Sequence, residues 1–252
     1  MIAQIEIDRD EMNNILNGLE RTVSIDDETF EDLNLVSLSE SNSLKIYMRH
    51  FDLYQVVHTL SDSNQISIDV DEDIEMVFSP DVLTSLVRES NSDKIKIRLS
   101  EDQFSVEARE SWFSTPTTFT LNLFHESQFQ PITTVPGFEY ITSINRKEMV
   151  ENLKMMSTVS KVVQLKLVDA EFWISVSDAV HGSGKVMENI DSSQTEIDSF
   201  ESKYRTDVIQ TFLNSVDTEL VDILLKDDGN LRIRAEKEGH EAELTLAPRI
   251  AD

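Results

Sequence analysis

Residues 8–16 read DRDEMNNIL, and residues 145–153 read NRKEMVENL. In both segments a residue able to cap a helix is followed three positions later by glutamate, and then by a methionine and a leucine four residues apart. A cap with glutamate at this spacing is typical of a helix start, and the apolar residues share one helix face. A short alternating strand precedes each segment, over residues 3–7 and 138–144. The same strand-to-helix junction is therefore predicted twice.

Two more pairs of segments follow in the same order. Residues 79–87 (SPDVLTSLV) predict a capped helix start with proline at its first position, and residues 206–213 (TDVIQTFL) are its counterpart. Residues 95–108 and 221–235 alternate between apolar and polar positions and predict two hairpins. Each half therefore reads strand, helix, strands, helix, strands. An internal repeat of this kind predicts an α+β fold with antiparallel sheets.

The boundary between the halves is predicted from composition. Residues 124–137, FHESQFQPITTVPG, hold two prolines, one glycine and a single acidic side chain. Such a segment is typical of an extended connector. We therefore expect an N-terminal domain over residues 1–123, an interdomain connector over 124–137 and a C-terminal domain over 138–252.

Composition excludes several classes of protein. The chain has 252 residues, 39% of them hydrophobic, and no cysteine, so it predicts a packed core without disulfides or thiolate chemistry. No apolar run reaches the length of a membrane span, and the first residues do not resemble a signal peptide, so we expect a cytoplasmic protein. Phosphate-binding loops and hydrolase motifs are absent from the sequence, and its five histidines are scattered. We expect no enzyme activity, no cofactor and no metal site.

The net charge of −26 is the most unusual property of the chain. A chain this acidic repels phosphate backbones at low salt. Three interpretations remain open at this point: a halophilic protein whose carboxylates keep its surface hydrated, a mimic of DNA, and an ordinary acidic surface.

Residues 244–250, LTLAPRI, resemble the closing strand and tail of the sliding clamps of archaea and eukaryotes, the proliferating cell nuclear antigen family. Residues 33–38, LNLVSL, are similar to the second strand of that family. The resemblance implies two tandem processivity-fold domains, each with two helices backing antiparallel sheets. It also implies a homotrimeric ring that encircles duplex DNA without sequence specificity. Together with the charge, it suggests an origin in a haloarchaeon or a haloarchaeal virus.

The resemblance further implies which residues face DNA, because clamps line their central hole with these helices. Several positions at which the family carries cations hold amides or acids here. The implied DNA-binding residues are Asn13, Asn14, Asn17, Arg21, Ser85, Arg88, Arg146, Lys147, Lys154, Lys203, Arg205, Gln210 and Asn214.

A docking pocket for partner peptides is implied as well, with DNA polymerase, clamp loader, nuclease and ligase as the partners. The residues that would border it are Leu38, Leu44, Phe129, Pro131, Ile132, Ala247, Pro248, Arg249 and Ile250. Subunits are expected to pair through edge strands at about residues 115–122 and 182–190. Two alternatives remain: a clamp-like viral processivity factor that acts as a monomer or dimer, and an acidic decoy that mimics DNA.

Overall fold

A computed structural model describes residues 2–23, 33–50, 53–78, 80–90, 92–100, 103–108, 117–121, 131–169, 171–178, 182–189, 197 and 199–249. The chain divides into two compact units. The first comprises Met1–Arg49, Val56–Ile132 and Lys237–Ala242, and the second comprises His50–Gln55, Thr133–Glu236 and Glu243–Asp252. Among the described residues, no helix has the length and apolar character needed to cross a membrane.

Within the described residues up to 121, the elements are two helices and nine strands. In chain order they are β1 (Ala3–Asp8), α1 (Arg9–Val23), β2 (Leu33–Leu38), β3 (Ser43–His50), β4 (Tyr54–Ser61), β5 (Ile66–Val70), β6 (Ile74–Phe78), α2 (Pro80–Glu89), β7 (Lys94–Ser100), β8 (Gln103–Ala108) and β9 (Thr117–Leu121). In the first unit, β5, β1, β7, β8 and β9 form one sheet in that order, and β4, β3, β2 and β6 lie side by side.

The later elements repeat this plan. They are β10 (Glu139–Asn145), α3 (Arg146–Ser157), β11 (Val162–Val168), β12 (Glu171–Asp178), β13 (Gly182–Asn189), β14 (Ser199–Arg205), α4 (Thr206–Ser215), β15 (Leu220–Leu225), β16 (Leu231–Lys237) and β17 (His240–Leu246). In the second unit, β13, β12, β11 and β14 form a sheet in that order, and β10, β15, β16 and β17 lie side by side.

The helix caps predicted at Asp8 and Asn145 are confirmed, whereas α4 begins after Arg205 without a side-chain cap. Asp8 ends β1, and its carboxylate accepts hydrogen bonds from the backbone N–H groups of Asp10 at 2.9 Å and Glu11 at 3.3 Å. Asn145 ends β10 and caps α3 in the same way, through the N–H groups of Lys147 and Glu148 at 3.1 and 3.2 Å. Each cap satisfies backbone donors that have no partner within the helix, so strand and helix join without a loop.

The helix faces and hairpins also follow the predicted pattern. Met12 and Leu16 of α1, like Met149 and Leu153 of α3, are buried in the core of their unit. Strands β7 and β8 pair in antiparallel register, and so do β15 and β16. The second hairpin turns through Gly229 at φ +89°, a conformation that residues with a Cβ rarely adopt. Strand β10 begins one residue later than predicted.

A buried polar cluster joins α1 to the β16–β17 turn inside the first unit. One oxygen of the Glu11 carboxylate lies 2.5 Å from Nδ1 of His240, and the other accepts a hydrogen bond of 2.5 Å from Lys237. His240 in turn meets Nδ1 of His58 through its Nε2, at 2.9 Å. Burial alone would raise the pKa of Glu11, but hydrogen bonds from His240 and Lys237, with their charge, lower it to about 2.

We expect Glu11→Gln to lower the free energy of unfolding by about 3 kcal/mol, because the partly buried ammonium of Lys237 and the buried ring of His240 lose their carboxylate partner. Glu6→Gln is the matched control. Glu6 pairs with Lys94 at 3.1 Å on the surface, so its loss should cost under about 1 kcal/mol. Urea unfolding at neutral pH measures both. Equal losses of unfolding free energy in the two variants would show that the buried cluster contributes no more stability than a surface ion pair.

The same cluster predicts how stability depends on pH. Burial lowers the pKa of His58 well below 6.5, so the folded protein resists a proton that the unfolded chain accepts, and stability falls as pH drops below 6.5. The contribution of Glu11 is complete above pH 4.5 and is lost as pH falls toward 2. The unfolding free energies of wild type and Glu11→Gln should therefore converge below pH 4.5. Parallel curves would contradict this assignment.

Candidate nucleic-acid and docking surfaces

The outer faces of α1 and α2 hold the amides and arginines singled out in the first unit. Asn14 and Arg21 are exposed on α1, as are Ser85 and Arg88 on α2. Arg88 donates to Oδ1 of Asn17 at 3.2 Å and pairs with Glu20 at 3.5 Å, so this guanidinium links the two helices.

Asn13 of α1 is set apart from these residues. Its side-chain oxygen is buried and has no hydrogen-bond partner among the described residues. This oxygen is therefore not accessible on the outer face of α1.

In the second unit, the outer faces of α3 and α4 are mixed in charge. Lys147 and Lys154 are exposed on α3, together with two glutamates, Glu148 and Glu151. Asn214 of α4 is exposed and Gln210 is half-buried. A phosphate backbone would meet amides and alternating charges here rather than a uniformly basic face.

Like Arg88, two further arginines expected at the DNA have structural partners. The guanidinium of Arg146 donates to the backbone carbonyls of Thr218 at 2.8 Å and Leu213 at 3.0 Å, next to the C-terminal end of α4. Arg205 forms two hydrogen bonds, of 3.1 and 2.9 Å, with the carboxylate of Asp207. Within the described part of the chain, Arg21, Lys147, Lys154 and Lys203 form no ion pair.

An apolar patch lies on the first unit where the connector meets the sheet. Leu38 and Ile132 are partly buried and pack against a buried cluster of Val36, Tyr47 and Val57. We call these five residues the apolar patch. It holds two of the residues expected in the docking pocket and presents them on a buried apolar base.

The other residues expected in this pocket have varied positions. Leu44 is only 1% exposed, so its side chain belongs to the core and offers no surface to a partner. Pro131 is exposed beside Ile132. Phe129 and Ile250 lie outside the described residues.

The loop after Leu38 is fixed by a carboxylate. Both the backbone N–H and the hydroxyl of Ser39 donate to Oδ1 of Asp73, each at 2.7 Å. These two hydrogen bonds hold the pKa of Asp73 below its usual value. The end of β2, and with it Leu38, is thereby kept in place.

The C-terminal tail is held against the second unit. The N–H of Ala247 donates to the carbonyl of Leu53 at 2.8 Å, and that of Arg249 to the carbonyl of Lys203 at 2.7 Å. Pro248 lies against the β15–β16 turn, where a Cβ on Gly229 would come within 3.1 Å of its ring. The turn therefore requires glycine for lack of space as well as for its positive φ.

The strands expected at a subunit interface are edge strands. Among the strands that the structure describes, β9 ends one sheet and β13 ends another. Thr118, Phe119 and Thr120 are all exposed on β9, and none of the five residues of this strand is charged. On β13, Lys185 lies 4.5 Å from the centre of the Trp173 ring.

Sequence reasoning missed several residues that shape these surfaces. Val36, Tyr47 and Val57 form the base of the apolar patch, yet each reads as one more apolar residue of a strand. Gln55 and Arg232, described below, hold the connector through contacts across large sequence separations. Alternation along β3 and β4 indicates a core face, but no local signal tells which core residues lie under a surface patch.

Comparison with solved structures shows the fold. The PCNA of Thermococcus kodakaraensis matches 98% of this chain and 100% of its own, with a TM-score of 0.77 at 13% identity. No protein-family model and no curated protein sequence matches the chain. The α+β arrangement of four helices and mostly antiparallel sheets is therefore the two-domain clamp fold of PCNA, as predicted.

Adjacent cations at the start of α3 should behave differently when removed. Arg146→Ala should lower the free energy of unfolding by about 1.5–3 kcal/mol, because two carbonyls lose a charged donor. Lys147→Ala, at an exposed position, should change it by less than about 0.5 kcal/mol. Thermal or urea unfolding of the two variants measures the difference. If Arg146→Ala were as stable as wild type, Arg146 would have no structural role and its side chain would be available to contact DNA.

Proposed function

We propose that this chain is a DNA sliding clamp, a non-enzymatic processivity factor that encircles duplex DNA and docks replication and repair proteins. One observation carries the proposal: the likeness to PCNA extends over 98% of this chain and all of that protein. A likeness confined to one unit would fit many α+β proteins. Agreement over both units favours a protein that uses the whole clamp.

Ring closure would use the two edge strands. Each presents a row of backbone N–H and C=O groups, which favours pairing with another strand. Pairing of β9 from one subunit with β13 of the next is head-to-tail, and such an interface closes into a ring when the rotation allows it. The lack of charge on β9 favours this use, because charged edge strands are the usual protection against pairing.

Duplex DNA would be held mainly by enclosure. Amides such as Asn14 can donate hydrogen bonds to phosphate, but they add no long-range attraction. At molar salt the Debye length is only about 3 Å, so the repulsion expected from a charge of −26 largely disappears. Cations bridging carboxylates and phosphates would add to the contact. The proposed clamp therefore suits a salt-rich cell.

Partner proteins would dock on the apolar patch. A short helical turn with aliphatic and aromatic anchors fits an apolar surface of this kind, where Leu38 and Ile132 are partly buried on a buried base. Polymerase, clamp loader, nuclease and ligase are the partner classes that a clamp would gather. The patch contains no candidate acid–base pair, and burial raises the pKa of Tyr47 above its ordinary value.

The net charge favours a second candidate, an acidic decoy that binds a nucleic-acid enzyme in place of DNA. Such a decoy needs neither edge-strand pairing nor a docking patch. A clamp-fold monomer or dimer from a virus is a variant of the first candidate. The mass of the protein in solution distinguishes these candidates from a closed ring.

Light scattering at low salt and at about 3 M KCl, where charges are almost fully screened, tests the ring. The expected mass is that of three 28.8 kDa chains in at least one condition. Phe119→Glu should reduce it to one chain, because it places a charge at the edge of β9. Leu220→Glu, at a somewhat more exposed position on an interior strand, is the control and should leave the trimer intact. A wild-type monomer in both conditions would overturn the self-closing ring.

A further inference from the structure

The part of the connector that the structure describes is held by side chains rather than by a sheet. Residues 131–138 belong to no helix or strand. Hydrogen bonds from Gln55 and Arg232 reach Thr133 and Val135, two residues apart on this segment. All four residues belong to the second unit. An extended segment held at alternate residues has one register on its support.

Gln55 provides the first of these contacts. Its side chain is 6% exposed, and its amide meets both backbone groups of Thr133. The amide oxygen accepts from the Thr133 N–H at 2.8 Å, and the amide nitrogen donates to the Thr133 carbonyl at 3.4 Å. An amide side chain that bonds both backbone groups of one residue forms the same two hydrogen bonds that a residue of a neighbouring strand would form. A shift of the connector by one residue would break both bonds.

Arg232 of β16 provides the second contact. From the sheet, Thr245 accepts from its Nε at 3.4 Å, and Glu243 lies 3.7 Å from another guanidinium nitrogen. On the connector, the guanidinium donates to the carbonyl of Val135 at 3.4 Å and stacks 4.2 Å from the centre of the Phe138 ring. The planar fork thus faces the sheet and the connector at once, which a lysine could not reproduce.

We propose that Gln55 and Arg232 are positioning residues that hold the connector in one register and thereby set the affinity of the apolar patch for a partner peptide. Ile132, a member of the patch, precedes Thr133 directly in the chain. A connector ordered before binding costs less conformational entropy when a peptide docks. The effect on affinity rests on the proposed function, whereas the holding of the connector does not.

Amide hydrogen exchange tests the holding without any partner. Gln55→Ala should speed exchange of the Thr133 amide about tenfold, because that N–H loses its acceptor. Arg232→Lys should also speed exchange of the Thr133 amide, because release of the Val135 carbonyl loosens the register in which the Thr133 N–H meets Gln55, while a positive charge stays near Glu243. Gln164→Ala is the matched control, since its amide donates to Glu201 on a different sheet. Unchanged exchange in both connector variants would overturn the proposal.

Affinity for a peptide tests the consequence. The probe is a short fluorescein-labelled peptide with one isoleucine and two phenylalanines on the same face of a helical turn. By fluorescence anisotropy, Gln55→Ala and Arg232→Lys should each bind it about three- to tenfold more weakly than wild type and Gln164→Ala. In each variant the connector loses hydrogen bonds that order it before the peptide docks. The midpoint of thermal unfolding of each connector variant, measured in parallel, should equal that of Gln164→Ala.

The outcomes separate this inference from the proposed function. Faster exchange with unchanged affinity in the variants would overturn the positioning role. If wild type itself binds no peptide, the proposed docking surface is overturned, and with it the effect on affinity. The exchange rates would still decide whether the two side chains hold the connector.

Discussion

The direct junction between a strand and a helix is the constraint on which the rest of the structure depends. Strand β1 ends at Asp8 and α1 begins at the next residue, and β10 and α3 meet in the same way at Asn145. Because no loop separates the strand from the helix, the cap fixes the rotation of the helix relative to its strand. That rotation directs Met12 and Met149 into the core and leaves the opposite helix faces to solvent. In the proposed clamp, these outer faces would meet DNA.

The distribution of charge follows from this arrangement. A chain with 22 basic and 48 acidic side chains has few cations to place, and part of them stabilises the fold. Arg146 binds carbonyls near the end of α4, where a positive charge also suits the helix dipole. Lys237 compensates the buried Glu11. The outer helix faces are therefore poor in cations partly because the fold itself uses them.

Much of the fold could be predicted from the sequence because its signals are local. Caps, the spacing of Met12 and Leu16, and the Gly229 turn each act within a few residues. The residues that form the surfaces were harder to predict, since the burial of a side chain depends on partners distant in the chain. Leu44 reads like Leu38, yet one lies in the core and the other in the apolar patch. Arg146 reads as a helix-surface cation, but Thr218 and Leu213 decide its role.

The connector shows why an irregular segment can still be specific. A strand added to a sheet is fixed by a ladder of hydrogen bonds, but its backbone groups are then used on that side. Two side chains, Gln55 and Arg232, fix the register of residues 133–138 with far fewer bonds. The side chains of this segment then remain available: Thr134, between the two hydrogen-bonded residues, and Pro136, directly after them, are exposed. A connector built in this way combines a defined position with a surface that a partner can still use.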